Sequence, residues 1–219
     1  AIEKIAKAQA DYENICKRKE TILSSVEEQG KLTEELRKRI EASYELTELE
    51  DLYLPYKKKR KTKGDVAKEN GLEPLAKQLM SQRVADIEQL ALRYLSDNVA
   101  TVEDALQGAS DIIAEWINEN MYVRRTLRRV FQRKAQLCTE VAKGKENEEE
   151  AQKYVQYFDW SEPLSKAPSH RVLAMLRAEK EGFVRLKVQV ETEDTLPFIE
   201  ETIIKGDGQT ADFLKKTIK

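Results

Sequence analysis

Apolar residues recur along most of this chain at intervals of three and four, the spacing that lines one face of an α-helix. Ile2, Ile5, Gln9, Tyr12, Cys16, Lys19, Leu23 and Val26 hold that spacing and are mostly apolar, which predicts a helix to about Glu28 with Gly30 as its stop. Leu32, Leu36, Ile40 and Tyr44 follow at strict four-residue steps. A T-x-x-E capping box, Thr47 to Glu50, introduces a short helix bearing Leu49, Leu52 and Tyr53. Pro55 ends it, because the residue before a proline is pushed out of the helical region. Thr62 to Asp65 predicts another cap, for a helix ending near Asn70-Gly71, and Pro74 fits the first turn of a helix through Met80. Ile87, Leu90, Ala91, Tyr94 and Leu95 mark a helix from Ala85 to Ser96. Thr101 to Asp104 caps the next, which carries Ala105, Leu106, Ala109, Ile112, Ile113, Trp116 and Ile117.

From Val123 to Ala142 a single stripe holds Val123, Leu127, Val130, Phe131, Lys134, Leu137, Cys138 and Val141, so one long helix closed by Gly144 is expected. The acidic run Glu146 to Glu150 suits the start of a further helix, where negative charge meets the positive end of the dipole, with Tyr154, Val155 and Phe158 turned inward. Ser169 is expected to cap a helix through Glu179. Only Phe183 to Glu191 changes period. There Val184, Leu186, Val188 and Val190 alternate with Arg185, Lys187, Gln189 and Glu191, the pattern of a strand with one buried face. A lone strand leaves its backbone groups unpaired, so its partner is expected in a region outside this sequence. Two short helices around Gly206-Asp207-Gly208 complete the chain. The expected fold is mainly α, a multi-helix scaffold with one short β element in the C-terminal third. Residues 1–145 form a helical region and 146–219 an α+β junction segment.

Composition agrees. Of 219 residues 36% are charged and 40% apolar, which suits amphipathic helices with heavily charged outer faces. With 8 Gly and 5 Pro the chain is poor in the residues an all-β fold needs for its turns. A formal charge of −2 means the whole chain is no polycation, so any contact with nucleic acid must rest on local patches. No stretch approaches the ~20 apolar residues of a membrane span, and no signal peptide is visible. Cys16 and Cys138 occupy apolar positions, as buried thiols of a reducing compartment do, and a cytoplasmic location is expected. The chain begins at Ala1 on residues that read as mid-helix, as an excised piece of a longer protein would.

Little in the sequence points to catalysis. The only histidine, His170, adjoins Ser169 at a helix start, an adjacency that rarely gives the geometry a nucleophile needs. No CxxC or Cys/His cluster suits zinc, no GK[ST] or GxGxxG surrounds Gly206-Asp207-Gly208, and no carboxylate is paired in an apolar setting. No catalytic residue, metal or cofactor is expected.

Two basic stretches carry the remaining chemistry. Lys57, Lys58, Lys59, Arg60, Lys61 and Lys63 form the run KKKRKTK, able to neutralise phosphates and release counterions, with Tyr53 and Tyr56 just before it to stack on bases. Arg124, Arg125, Arg128, Arg129 and Arg133 flank the apolar stripe of the long helix, recurring at i, i+4 in two side-by-side rows. The plainer alternatives are a solvated loop and a helix salt-bridged to acidic neighbours. If both serve nucleic acid, they are expected to converge on one positive surface.

Three segments in order are more specific. ELEDLYLPYKKKRKTK from Glu48 to Lys63, GLEPLA from Gly71 to Ala76, and YFDWSEPLSKAPSHRVLAMLRAEKEG from Tyr157 to Gly182 resemble the Tex family of transcription accessory proteins, and EEQGKLTEELRKRIE near the start agrees. The resemblance covers about residues 20 to 190 and loosens after about Asp194. It implies a multidomain protein with an N-terminal helical region containing a helix-turn-helix-like part. An RNase H-like domain, helix-hairpin-helix motifs and an OB-type RNA-binding domain follow. This chain resembles a fragment of the helical region, with about 85–133 as the internal part of the helix-turn-helix-like unit. The function implied is a non-catalytic scaffold that contributes to nucleic-acid binding, RNA or DNA, in transcription, with RNA polymerase or associated factors as further partners. The alternative is a protein–protein docking module for the transcription machinery, using Tyr44, Tyr53, Tyr56 and Trp160. The resemblance makes Lys57–Lys63 an auxiliary phosphate contact and the Ser169-His170-Arg171 stretch a structural junction. One departure stands out. The family usually reads arginine-glycine after that helix, whereas Ala178 follows Arg177 here, so either the local turn differs or the helix runs on to Glu179.

Overall fold

The computed structural model describes residues 2–57 and 61–219, so Lys58, Lys59 and Arg60 of the basic run lie outside the described residues. The fold is mainly α, with helices α1–α11 and one small sheet. Internal contacts divide it into two compact units, one within Ala1–Arg124 and Gly206–Thr217, the other within Arg125–Lys205 and Ile218–Lys219.

The first unit opens with α1 (Ile2–Glu28), α2 (Glu34–Ala42) and α3 (Leu46–Tyr53), followed by a 3-10 turn, Leu54–Tyr56. The expected spacing is only partly realised: Ile22, Val26, Leu36, Ile40, Leu49 and Leu52 form a core, whereas Ile5 and Tyr12 of the α1 stripe and Tyr44 are exposed. The cap of α3 differs from the expected Thr47 box. Glu45 is the N-cap, and Thr47 already lies inside the first turn. Upstream, the Ser43 hydroxyl donates to Glu48 Oε2 at 2.6 Å and organises the turn instead.

Next come α4 (Lys63–Glu69), α5 (Glu73–Met80), α6 (Ile87–Ala91) and α7 (Val102–Glu119). The Thr62–Asp65 box is present: Thr62 Oγ1 accepts from the Asp65 N–H at 3.1 Å, and Asp65 Oδ2 accepts from the Thr62 N–H at 3.1 Å. Thr101 caps α7, its Oγ1 accepting from the Asp104 N–H at 3.1 Å and donating to Asp104 Oδ2 at 2.8 Å. The expected Ala85–Ser96 helix is shorter, since α6 gives way to a 3-10 turn at Leu92–Tyr94. Two glycines let α4 and its following turn approach α7. A Cβ on Gly108 would stand 2.4 Å from Leu72 Cδ1, and one on Gly64 would stand 2.6 Å from Glu115 Cδ. The unit is completed by α11 (Gln209–Ile218), which buries Thr210, Ala211 and Leu214. Ser110 and Thr217 hydroxyls meet at 2.9 Å, and Gln209 Oε1 accepts from the Ile87 N–H at 3.2 Å.

The boundary between units falls inside α8 (Met121–Lys134). The second unit holds a three-stranded antiparallel sheet of order β2-β1-β3, with β1 Gln136–Val141, β2 Asp159–Pro163 and β3 Val184–Gln189. Two sequence expectations are corrected here. The helix from Val123 does not reach Ala142; it stops at Lys134, and Gln136–Val141 is the central strand. The partner of β3 is inside the chain, because Thr139 faces Leu186 and Leu137 faces Val188 in the β1–β3 register. Leu137, Thr139 and Val141 satisfy a two-residue period as readily as Leu137, Cys138 and Val141 satisfy a helical one. Pairing on both sides decides between them, as context commonly overrides local propensity.

On one face of the sheet lie a 3-10 stretch, Glu149–Tyr157, where an α-helix was expected, and α9 (Ser169–Lys180). Leu137, Tyr154, Tyr157, Met175, Phe183 and Val184 build their shared core. Pro168, not Ser169, is the N-cap of α9. The helix runs through Arg177 and Ala178 to Lys180, with Ala178 fully buried, so the missing glycine is absorbed by a continuing helix. Then α10 (Thr192–Ile203) follows, and Asp194 pairs with Lys134 at 2.5 Å.

Candidate nucleic-acid interface

The residues on either side of the basic run are firmly held. On its N-terminal side Gln29 Nε2 donates to the Tyr56 carbonyl at 2.8 Å, and the Tyr53 hydroxyl meets Ser25 Oγ at 3.0 Å. Tyr53 and Tyr56 are half-buried against the α1–α3 core, which commits the rings that the sequence offered for stacking. On its C-terminal side Thr62 Oγ1 donates to Glu115 Oε1, and Lys68 Nζ donates to Glu115 Oε2 at 2.9 Å. Partial burial works against the Lys68 charge, but the hydrogen bond and field of Glu115 outweigh it and raise the Lys68 pKa above its ordinary value.

The described members of the run differ from one another. Lys57 is exposed. Lys61 pairs with Glu69 at 2.5 Å, an exposed pair of small energetic weight. Lys63 is exposed and lines a shallow cleft together with Asp104 and Asp111 of α7. Carboxylates therefore stand close to part of this cationic surface.

On α8 the five arginines separate by environment. Arg124 Nε donates to Asp51 Oδ1 at 2.7 Å, and Nη1 donates to the Asn118 carbonyl at 3.3 Å. Asp51 has a side chain only 4% exposed, so the pair is a buried tie between α3 and the start of α8. No paired carboxylate in an apolar setting was expected from the sequence; buried Asp51 corrects that, its partner lying 73 positions away. Arg128 is half-buried and has a partner within the protein. Arg125, Arg129 and Arg133 are exposed, and among the described residues no ion pair involves them. They stand at i, i+4 and i+8, a row ~12 Å long at 1.5 Å per residue. The helix itself, MYVRRTLRRVFQRK, contains no Asp or Glu to neutralise them.

Tyr122, at the start of α8, is 62% exposed, has a partner within the protein and belongs to the first unit. Asn120 fixes the helix start, its Oδ1 accepting from the N–H groups of Tyr122 at 3.0 Å and Val123 at 3.1 Å. Lys57, Lys61, Lys63 and Arg124 thus belong to the first unit, and Arg125, Arg128, Arg129 and Arg133 to the second.

Tyr44 stacks on Tyr12 with centroids 5.9 Å apart. Trp160 lies beneath the Arg171 guanidinium, 5.0 Å from the ring centroid, and Arg171 also binds Glu162. Ser169 and His170 are both exposed on the first turn of α9. Among the described residues no group of three His, Cys, Asp or Glu is placed to hold a metal ion, and no helix is long and apolar enough to cross a membrane.

Comparison with known proteins adds an independent line. A family described as Tex central region-like matches residues 82–216. Transcriptional accessory protein Tex of Neisseria gonorrhoeae is 44% identical over 178 residues, 81% of this chain and 23% of its own length. The uncharacterized protein YdcI of Bacillus subtilis is 36% identical over 222 aligned positions, covering 100% of this chain and 31% of its own length. S1 RNA-binding domain-containing protein 1 of Homo sapiens is 26% identical over 185 residues, 80% of this chain and 18% of its own. The chain thus spans less than a third of the length of each of these relatives.

Proposed function

This chain belongs to the Tex family, and from that membership we propose that it is a non-catalytic helical segment of a transcription accessory protein that contributes phosphate contacts to RNA or DNA. The observation that carries the reading is the exposed row Arg125, Arg129 and Arg133 on a helix without carboxylates. Such a row neutralises backbone phosphates whatever the base sequence. Lys57 and Lys63 serve as auxiliary contacts. Arg124 serves as the strut that fixes the start of α8. The names of the relatives, transcriptional accessory and RNA-binding, support the choice of process and ligand. RNA polymerase or associated factors are its macromolecular setting in this reading.

The test is fluorescence anisotropy with single- and double-stranded RNA and DNA oligonucleotides across a salt series. Changing Arg125, Arg129 and Arg133 together to Ala is expected to weaken binding at least about tenfold at low salt. It is also expected to flatten the slope of log K against log salt by about 2 to 3, since each lost phosphate contact removes roughly 0.7–0.9. An unchanged slope, or affinity that ignores salt in the parent chain, overturns the proposal.

A further inference from the structure

A second surface lies in the first unit and is not part of the arginine face. Helices α7 and α11, flanked by the start of α6, enclose an open groove of about 710 Å³. One wall is a stripe of α7, with Leu106, Ser110 and Ala114 at four-residue steps. The other is a stripe of α11, with Phe213 and Thr217. The Ser110–Thr217 hydrogen bond at 2.9 Å ties the two walls. Two helical stripes that meet at their base and present small or apolar side chains receive a third helix in the ridge-and-groove manner. The small side chains Ser110 and Ala114 permit close approach.

The rim gives the occupant its charge. Glu88, Glu103, Asp111 and Asp212 line the groove with Lys216, while Lys215 beside Asp212 and Lys63 near Asp111 lie outside the lining. Asp111 accepts from Gln107 Nε2 at 3.1 Å, and Asp212 is 3.7 Å from Lys215. Neither contact gives the rim carboxylates a buried, neutralising partner. We propose that this groove docks a cationic amphipathic helix of a protein partner, with its apolar stripe on Leu106, Ala114 and Phe213 and its Lys or Arg residues on the four carboxylates. The reading is independent of nucleic-acid binding, and its test contains no nucleic acid.

The probe is a 16-residue helical peptide with leucines at i, i+4, i+7 and i+11 flanked by Lys and Arg. It is compared with a scramble of the same composition and with a counterpart carrying Glu in place of every Lys and Arg. Binding to the 219-residue chain is read by anisotropy and located by hydrogen exchange. The cationic amphipathic peptide is expected to bind at least tenfold tighter than the scramble and to protect Glu103–Ala114 and Gln209–Thr217. Ala114 is exposed, so Ala114→Trp fills the groove without touching the core, and Glu103→Lys with Asp212→Lys reverses the rim at two exposed positions. Each is expected to cut affinity at least tenfold with an unchanged circular dichroism spectrum, and the double reversal to move preference to the Glu peptide. Equal binding of the scramble, indifference to both variants, or protection elsewhere overturns the proposal. So does concentration-dependent dimerisation abolished by Ala114→Trp, which assigns the groove to a second copy of the chain.

Discussion

Arg124 and Arg125 are neighbours in sequence and opposites in consequence. Arg124 neutralises Asp51, whose side chain is 4% exposed, whereas Arg125 is exposed. Removing one partner of a buried pair strands the other charge. Because Arg124 itself is 31% exposed and solvent screens it, Arg124→Met is expected to lower stability by about 2–3 kcal/mol, below the roughly 3–5 kcal/mol of a fully buried pair. Arg125→Ala is expected to stay within about 0.5 kcal/mol. Urea unfolding of both variants, together with Asp51→Asn/Arg124→Met, checks this, and the double variant should recover part of the loss. If Arg124→Met proves as mild as Arg125→Ala, the strut assignment fails. The sequence showed five arginines at helical spacing but not which ones were engaged. That distinction depends on a carboxylate 73 positions away, and no local pattern carries it.

At the scale of elements, the legible features were those whose determinants are local. The Thr62 and Thr101 caps, the buried pair Leu36 and Ile40 of α2 and the pair of helices around Gly206–Gly208 all follow from neighbours in sequence. What failed was β1, because a central strand is specified by partners from Asp159–Pro163 and Val184–Gln189. The junction of α4 with α7 is likewise non-local, and it makes a pH prediction. The folded-state pKa of Lys68 is raised. Its contribution to stability is therefore fully present below the unfolded-state lysine value of about 10.4 and is lost as pH rises through the folded value. The stability difference between the parent chain and Lys68→Met is expected to shrink above about pH 10.4, and to be flat from neutral pH to that point, in denaturant titrations on the alkaline side. A difference that grows with pH would mean that burial, not Glu115, dominates at Lys68. Gly64→Ala tests the same junction by sterics. Its Cβ would meet Glu115 Cδ at 2.6 Å, displacing the carboxylate from Thr62 and Lys68, with an expected loss of about 1–2 kcal/mol.

At the scale of the whole molecule, the return of α11 to the first unit could not be read from the chain, because α10 and α11 are adjacent in sequence yet fall in different units. Each unit carries its own core and its own tryptophan, Trp116 on α7 and Trp160 on β2. Single-tryptophan variants, Trp160→Phe and Trp116→Phe, thus report on one unit at a time. Leu214 of α11 and Met175 of α9 are both 0% exposed, and truncating either to Ala leaves a cavity that costs about 2–5 kcal/mol. Leu214→Ala is expected to shift the urea transition seen by Trp116 by that amount and to leave the Trp160 transition in place, with Met175→Ala doing the reverse. If α11 were an appendage of α10 rather than a part of the first core, Leu214→Ala would move the Trp160 signal instead. Equal displacement of both signals by either substitution would instead mean that the two cores melt as one cooperative body.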